Sequence, residues 1–188
     1  MMFPPRPTEL AHSLLRPHLQ PGDTAVDATA GNGHDTLFLA KSVGPSGRVV
    51  AVDIQQAAIA ATQRALHAAQ IDTPVELRCE SHTSIASHLD RDSATVVMFN
   101  LGYLPGEDHD CTTEAGETIA AIDSACTVLK PGGILSVVCY PGHAAGSAEA
   151  QAVESHLAKF PSSRWRLAKY AMLGTLKPAP FLLLATKP

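Results

Sequence analysis

Apolar positions along the chain follow two alternating rhythms. Compact apolar runs at Thr24–Asp27, Arg48–Asp53, Pro74–Cys79, Ala94–Asn100 and Ile134–Tyr140 are bounded by Gly, Pro, Asn or Asp, the mark of buried strands. Between them the apolar residues fall three and four apart, the helical spacing. Thr8 is expected to cap a short helix carrying Leu10, Leu14 and Leu15 and stopped by Pro17. A second helix should run from Gly33 to about Val43, and a third over the alanine-rich Gln55–Gln70, with Ile59 and Leu66 on one face. Thr83–Leu89 reads as a short helix. Ile119, Ile122, Cys126 and Leu129 predict another, which Lys130-Pro131-Gly132-Gly133 should end, and Val153, Leu157 and Phe160 mark a last one. Arg164–Met172 and Phe181–Thr186 read as two strands joined by a loop containing Gly and Pro.

Strands alternating with helices imply an α/β fold, a parallel sheet covered by helices on both faces. The last two strands have no helix between them, so they should be antiparallel, because a parallel return needs a crossover. The expectation is one domain over residues 1–188, with 1–22 as a helical lead-in, built on a seven-stranded, mostly parallel sheet with one reversed strand. Such Rossmann-like sheets bind ligands beyond the carboxyl ends of their strands.

Composition narrows the class. Of the 188 residues, 45% are apolar and 17% charged, which fits a folded globular chain. No apolar run is long enough to span a bilayer. Met1–Pro7 holds one Arg and three Pro and lacks the apolar region of a secretory signal, so a cytoplasmic location is the default. Cys79, Cys111, Cys126 and Cys139 have no zinc spacing, and no metal is expected; Cys79 and Cys139 fall in strands and read as buried structural thiols. A net charge of −4 argues against general nucleic-acid binding. Yet no Asp or Glu follows Glu154, whereas Lys159, Arg164, Arg166, Lys169, Lys177 and Lys187 do. That tail suits either a phosphate-facing surface or a solvated edge guarded by lysines, and charge alone leaves both open.

The candidate chemistry begins at the first strand's carboxyl end, Asp27-Ala28-Thr29-Ala30-Gly31-Asn32-Gly33-His34-Asp35-Thr36. Gly31 and Gly33 let the backbone turn sharply against a ligand, and the helix start beyond them presents unpaired N–H groups. Thr36 stands where a dinucleotide fingerprint needs its third glycine. Asp27 would repel a pyrophosphate but attract the ammonium and sulfonium of S-adenosylmethionine, and Asp35 adds a second negative group. The alternative is that Asp27 only satisfies loop N–H groups and Asp35 caps the helix. Asp53, twenty positions after Gly33, is placed to accept ribose hydroxyls; Ile54 then packs on adenine and Gln55 follows. Ser81 and His82 close the third strand and would border the adenine.

These motifs, with AVDIQ, FNLGYLPG (Phe99–Gly106), LKPGG (Leu129–Gly133) and YPGH (Tyr140–His143), resemble the putative rRNA methylase family, related in fold to class I methyltransferases. The resemblance implies an S-adenosylmethionine-dependent N-methyltransferase. It would act on the amine of 5-aminomethyl-(2-thio)uridine at the tRNA wobble position. It also implies that Asn32, Asp35, Asp53, Gln55, Ser81 and His82 contact the cofactor, in a turn that includes Thr29 and Thr36, with Asn100 beside the methyl group. Leu101, Gly102, Tyr103, Leu104, Pro105, Tyr140, Gly142 and His143 would flank the acceptor. Where the family often continues with Gly, Asp and Lys, this chain has Glu107-Asp108-His109-Asp110.

Asn100-Leu101-Gly102-Tyr103 looks like a relative of the Asn/Asp-Pro-Pro-aromatic motif of nitrogen-methylating enzymes. Asn100 would accept an N–H of the attacking amine, and Tyr103 would stack on a base. Asp108, His109, His143 and water are candidate proton acceptors, with His143 preferred for following the fifth strand directly. Three other readings are a small-molecule methyltransferase, a nicotinamide-dependent oxidoreductase, against which the missing third glycine and Asp27 count, and a non-catalytic cofactor binder. A homodimer is expected, a second subunit helping to reach a tRNA anticodon stem.

Overall fold

In the computed structural model, which describes residues 4–102 and 115–188, the apolar runs form one seven-stranded sheet. Its strands are β1 (Thr24–Asp27), β2 (Arg48–Asp53), β3 (Val75–Cys79), β4 (Ala94–Asn100), β5 (Leu129–Cys139), β6 (Arg166–Tyr170) and β7 (Phe181–Thr186). They lie in the order β3-β2-β1-β4-β5-β7-β6. Only β7 is reversed: it runs antiparallel to both β5 and β6. The ten residues 171–180 that join β6 to β7 hold no helix to carry a parallel return.

The helices are α1 (Pro7–Leu15), α2 (His34–Val43), α3 (Gln56–Ala68), α4 (Ala115–Val128) and α5 (Ala144–Leu157), with a 3₁₀ segment at His82–Ser87. The period of two along each strand sorts their packing. Ala25, Val49, Val96, Met98, Ile134 and Val138 face one way and pack with Ala11, Leu15, Phe38, Leu39 and Val43 of α1 and α2. The alternate residues Val26, Val97, Phe99, Leu135 and Val137 face the other way and pack with Ile122 of α4 and Val153 and Leu157 of α5. Fully buried side chains such as Leu15, Leu39 and Phe99 each contribute roughly 1.5–3 kcal/mol of transfer free energy. Residues 7–19 are therefore more than a lead-in, since Ala11, Leu15 and Leu19 belong to the core.

Several local expectations change. α1 starts at Pro7 with Arg6 as its cap, and Arg6 N–H donates to Glu9 Oε2 at 3.4 Å, so Thr8 lies inside the helix. Lys130–Gly133 does not form a free turn. α4 runs straight into β5, and the strand takes up the glycines as a bulge. Gly132, at φ +76°, donates its N–H to the Lys187 carbonyl, and the Lys187 N–H donates to Gly133 O, both at 2.9 Å. The short helix expected over Thr83–Leu89 is the 3₁₀ segment His82–Ser87. Cys79 is exposed, because it ends the edge strand β3, which has a neighbour on one side only. Among the described residues, no helix is long and apolar enough to cross a membrane.

Candidate functional site

Strand alternation gathers the polar residues at the carboxyl ends onto one face. Asp27 shares the phase of Ala25, Asp53 that of Val49, and Asn100 that of Met98; Tyr140 follows β5 in phase with Val138. β1 lies between β2 and β4, and β4 next to β5, so all four side chains converge on the side of α1, α2 and α3. The chain changes direction of winding between β1 and β4, the switch point where α/β sheets open a crevice.

The turn after β1 is held from beneath. Asp27 is fully buried; its Oδ1 accepts the Thr29 N–H at 3.1 Å and its Oδ2 the Thr36 hydroxyl at 2.5 Å. Thr29 Oγ1 accepts the Asn100 N–H at 2.8 Å, tying the end of β1 to the end of β4. Asp53 Oδ2 accepts the Gly31 N–H at 3.0 Å and its Oδ1 the Gln55 N–H at 2.9 Å. The Thr62 hydroxyl donates to the Gly31 carbonyl at 3.1 Å. Gly33 sits at φ +82°, and a Cβ there would lie 3.0 Å from Thr62 Cα, so backbone conformation and space both demand glycine. Asn32 and His34 are exposed at the crown of the turn.

The charge in this crevice is crowded and negative. Burial, then the neighbouring Asp35, raise the Asp27 carboxyl from 3.8 to about 7; Asp53 adds to the rise, and the bonds from Thr36 and Thr29 oppose it. Asp35 is buried in the first turn of α2, where His12 Nε2 of α1 meets its Oδ1 at 2.5 Å. Burial and Asp35 also push the Tyr140 phenol above its usual range, while a hydrogen bond with Asn100 works the other way. The Asn100 Oδ1 atom is buried and has no hydrogen-bond partner among the described residues.

Ile54, just past Asp53, is 51% exposed, an apolar side chain turned to solvent beside the polar turn. Ser81 caps the 3₁₀ segment, accepting the Thr83 N–H at 3.3 Å. His82 is buried, edge-on to Phe99 at 5.8 Å, and its Nε2 has no partner among the described residues. Burial holds His82 below its ordinary pKa against the pull of Glu117 and Asp53. On the acceptor side Leu101 is buried, and Gly102 lies under the Tyr140 ring, where a Cβ would be 3.5 Å from Cδ2. Tyr103, Leu104 and Pro105, with Glu107–Cys111, lie outside the described residues. Gly142 is exposed, and His143 caps α5: its Nδ1 accepts the Gly146 N–H at 3.1 Å.

Two residues that the sequence did not single out hold this site, His12 and Thr62. Thr62 sits on the buried face of an alanine-rich helix, where a threonine reads as filler. His12 lies 23 positions from its partner, with no local signal linking them. The basic tail divides. Lys169 bonds both oxygens of Glu154 at 2.7 Å, and Lys187 donates to the carbonyls of Cys126 and Leu129 and to Asp92. Burial pushes the thiols of Cys126 and Cys139 up to about 12, which makes them inert.

Known proteins share this fold and family. Residues 49–186 match the family model described as "Putative rRNA methylase". The chain is 39% identical over 176 residues to the chloroplastic tRNA (mnm(5)s(2)U34)-methyltransferase of Arabidopsis thaliana; the match covers 89% of this chain and 64% of that relative's length. A crystal structure of a putative rRNA methylase from Clostridium thermocellum superimposes with a TM-score of 0.95 at 34% identity over all of both chains. A putative methyltransferase from Streptococcus mutans, solved in complex with SAH, superimposes with a TM-score of 0.86 at 30% identity, again over all of both chains.

Proposed function

The chain belongs to the Putative rRNA methylase family, and from that premise we propose that it is an S-adenosylmethionine-dependent N-methyltransferase acting on tRNA in the cytoplasm. The acceptor we propose is the aminomethyl group of 5-aminomethyl-(2-thio)uridine at the wobble position, by similarity to the Arabidopsis relative. The observation that carries the cofactor assignment is electrostatic. Asp27, Asp35 and Asp53 converge on one turn, and the most buried of them has its pKa raised to about 7 by burial and by its acidic neighbours. Such a cluster favours a ligand that brings positive charge and disfavours a pyrophosphate. The residues fit this cofactor: Asp35 at the turn, with Asp27 beneath it, sets negative charge under its cationic end, Asp53 and Gln55 face its ribose, and Ile54, Ser81 and His82 its base. Exposed Ile54 is the apolar platform a flat base requires, and Asn32, Gly31, Gly33, Thr29 and Thr36 shape the turn.

When bound, S-adenosylmethionine supplies a methyl group on an already activated sulfonium, so the protein's task is alignment. Asn100 does this at the acceptor: its buried, unpartnered Oδ1 accepts one N–H of the amine and aims the nitrogen lone pair. Holding two reactants in register contributes as much as about 7–11 kcal/mol in well-oriented systems. Tyr140, bonded to Asn100, keeps the amide from rotating. His143, as the cap of α5, sets the course of the chain leaving β5. Tyr103 is proposed as the base-stacking residue. The edge strand β6, with every residue exposed, and Leu173 and Leu176 beside it, 95% and 105% exposed, offer a second copy of the chain a surface to pair with. Sedimentation at assay concentration tests that dimer, and a mass near one subunit counts against it.

The decisive experiment adds purified protein and S-adenosylmethionine to tRNA lacking the final methyl group and measures the wobble nucleosides by mass. One added methyl on the aminomethyl nitrogen is expected. Transfer to small amines but not to tRNA replaces the acceptor with a small molecule. No binding of S-adenosylhomocysteine overturns the cofactor assignment.

A further inference from the structure

α1 lies outside the residues matched by the family model, yet it reaches the cofactor turn. His12 Nε2 meets Asp35 Oδ1 at 2.5 Å, and His12 is the only residue hydrogen-bonded to the Asp35 side chain among those described. The His12 ring stacks on Phe38 with centroids 4.0 Å apart and planes within 6°. One helical turn on, the Arg16 guanidinium lies 5.3 Å from the same ring's centroid. Asp35 and Phe38 are themselves one turn apart on α2, so His12 grips α2 by a polar and an apolar contact at once. Its side chain is 25% exposed and that of Asp35 is 6% exposed, so the bond is sheltered and stronger than a surface ion pair.

This contact does more than fasten a helix. Asp35 raises the pKa of its neighbour Asp27 and that of the Tyr140 phenol as well. A carboxylate crowded by another carboxylate turns away or takes a proton unless a donor holds it. We propose that His12 is a positioning residue for cofactor binding: by holding one oxygen of Asp35, it keeps that carboxylate aimed into the turn beside Asp27. The inference rests on the cofactor assignment above. It gives α1 a part in binding S-adenosylmethionine that its place before the first strand does not suggest.

The test uses calorimetry with S-adenosylhomocysteine on the full chain and three variants. His12→Phe keeps a ring to stack on Phe38 but deletes the hydrogen bond. His12→Ala deletes both, and His12→Gln keeps an N–H donor without the imidazole. Hydrogen bonds to a buried charge have typical strengths that correspond to a loss of about tenfold or more in affinity. The expected result is that weakening for both His12→Phe and His12→Ala, with His12→Gln recovering to within a few-fold of wild type. In an Asp35→Ala background His12→Phe should cost nothing further. Wild-type affinity in His12→Phe refutes the proposal, as does an undiminished loss in the Asp35→Ala background; both show a purely packing role. Failure of His12→Gln to recover refutes it too. If the wild-type chain itself does not bind S-adenosylhomocysteine, the cofactor assignment fails, and that result is separable from the others. Should His12→Ala fail to fold, His12→Phe and His12→Gln carry the comparison alone.

Discussion

Replacing Asp27 by Asn separates the stability of this fold from its binding of a cation. The side chain is fully buried, and its pKa is raised from 3.8 to about 7 by burial and by Asp35. Between those two values the folded chain keeps a proton that the unfolded chain has released. Stability therefore falls as pH rises through that window, because the native state binds more protons there. From pH 5 to pH 8 the loss amounts to about 3 kcal/mol, at about 1.4 kcal/mol for each pH unit below the folded value. The substituted amide cannot ionise, yet its oxygen can still accept the Thr29 N–H and its amine can donate to the Thr36 oxygen. The apo variant should thus gain on wild type by about 3 kcal/mol between pH 5 and pH 8. In melting temperature that is roughly 6–12 °C for a chain of this size. Other carboxylates titrate alike in both proteins and cancel in the difference. Calorimetric melting of both apo proteins across this range measures it. Binding should move the opposite way: wild-type affinity for S-adenosylhomocysteine rises with pH up to about 7, and the variant binds weakly with no such rise. Parallel melting curves at all pH values would refute the electrostatic argument.

Other perturbations probe separate parts of the site. Gly33→Ala forces a side chain at φ +82° against Thr62 and should cost about 1–3 kcal/mol in urea midpoint measurements, with S-adenosylhomocysteine affinity lowered. Asn100→Ala removes the buried amide oxygen; kcat should fall about 100-fold or more, while the calorimetric Kd for S-adenosylhomocysteine changes less than about threefold. Lys187→Met strips three acceptors of their donor and should lower stability by about 1–3 kcal/mol, leaving the KM for tRNA unchanged, since this lysine serves the end of the sheet. Arg164→Ala with Arg166→Ala should lower the salt dependence of tRNA binding by a slope of about one to two in filter binding; an unchanged slope removes both from the RNA footprint.

Much of this protein is legible in its residues. The unbroken apolar runs ATVVMFN and RVVAVD, and the three-four spacing between such runs, reflect burial of the central strands between helical layers. Strand ends bring Asp27, Asp53 and Asn100 to one edge of the sheet, and the strand boundaries that do so are readable from local pattern. The reversal of β7 is readable too, from the missing helix before it. What only the folded chain decided are contacts between residues far apart along it. His12 meets Asp35 because α1 packs on α2 over a shared apolar core, an outcome of side-chain fit that no periodicity encodes. Asp27 lies beneath its turn with its pKa near 7, and Lys187 caps carbonyls where charge counting left it free to meet RNA. His82 is buried against Phe99, and the Nδ1 of His143 is taken by the start of α5. Pattern along a chain reports which surface a residue faces, because burial repeats with the local geometry. Protonation state and hydrogen-bond partner depend on the few atoms that tertiary packing brings within about 3 Å.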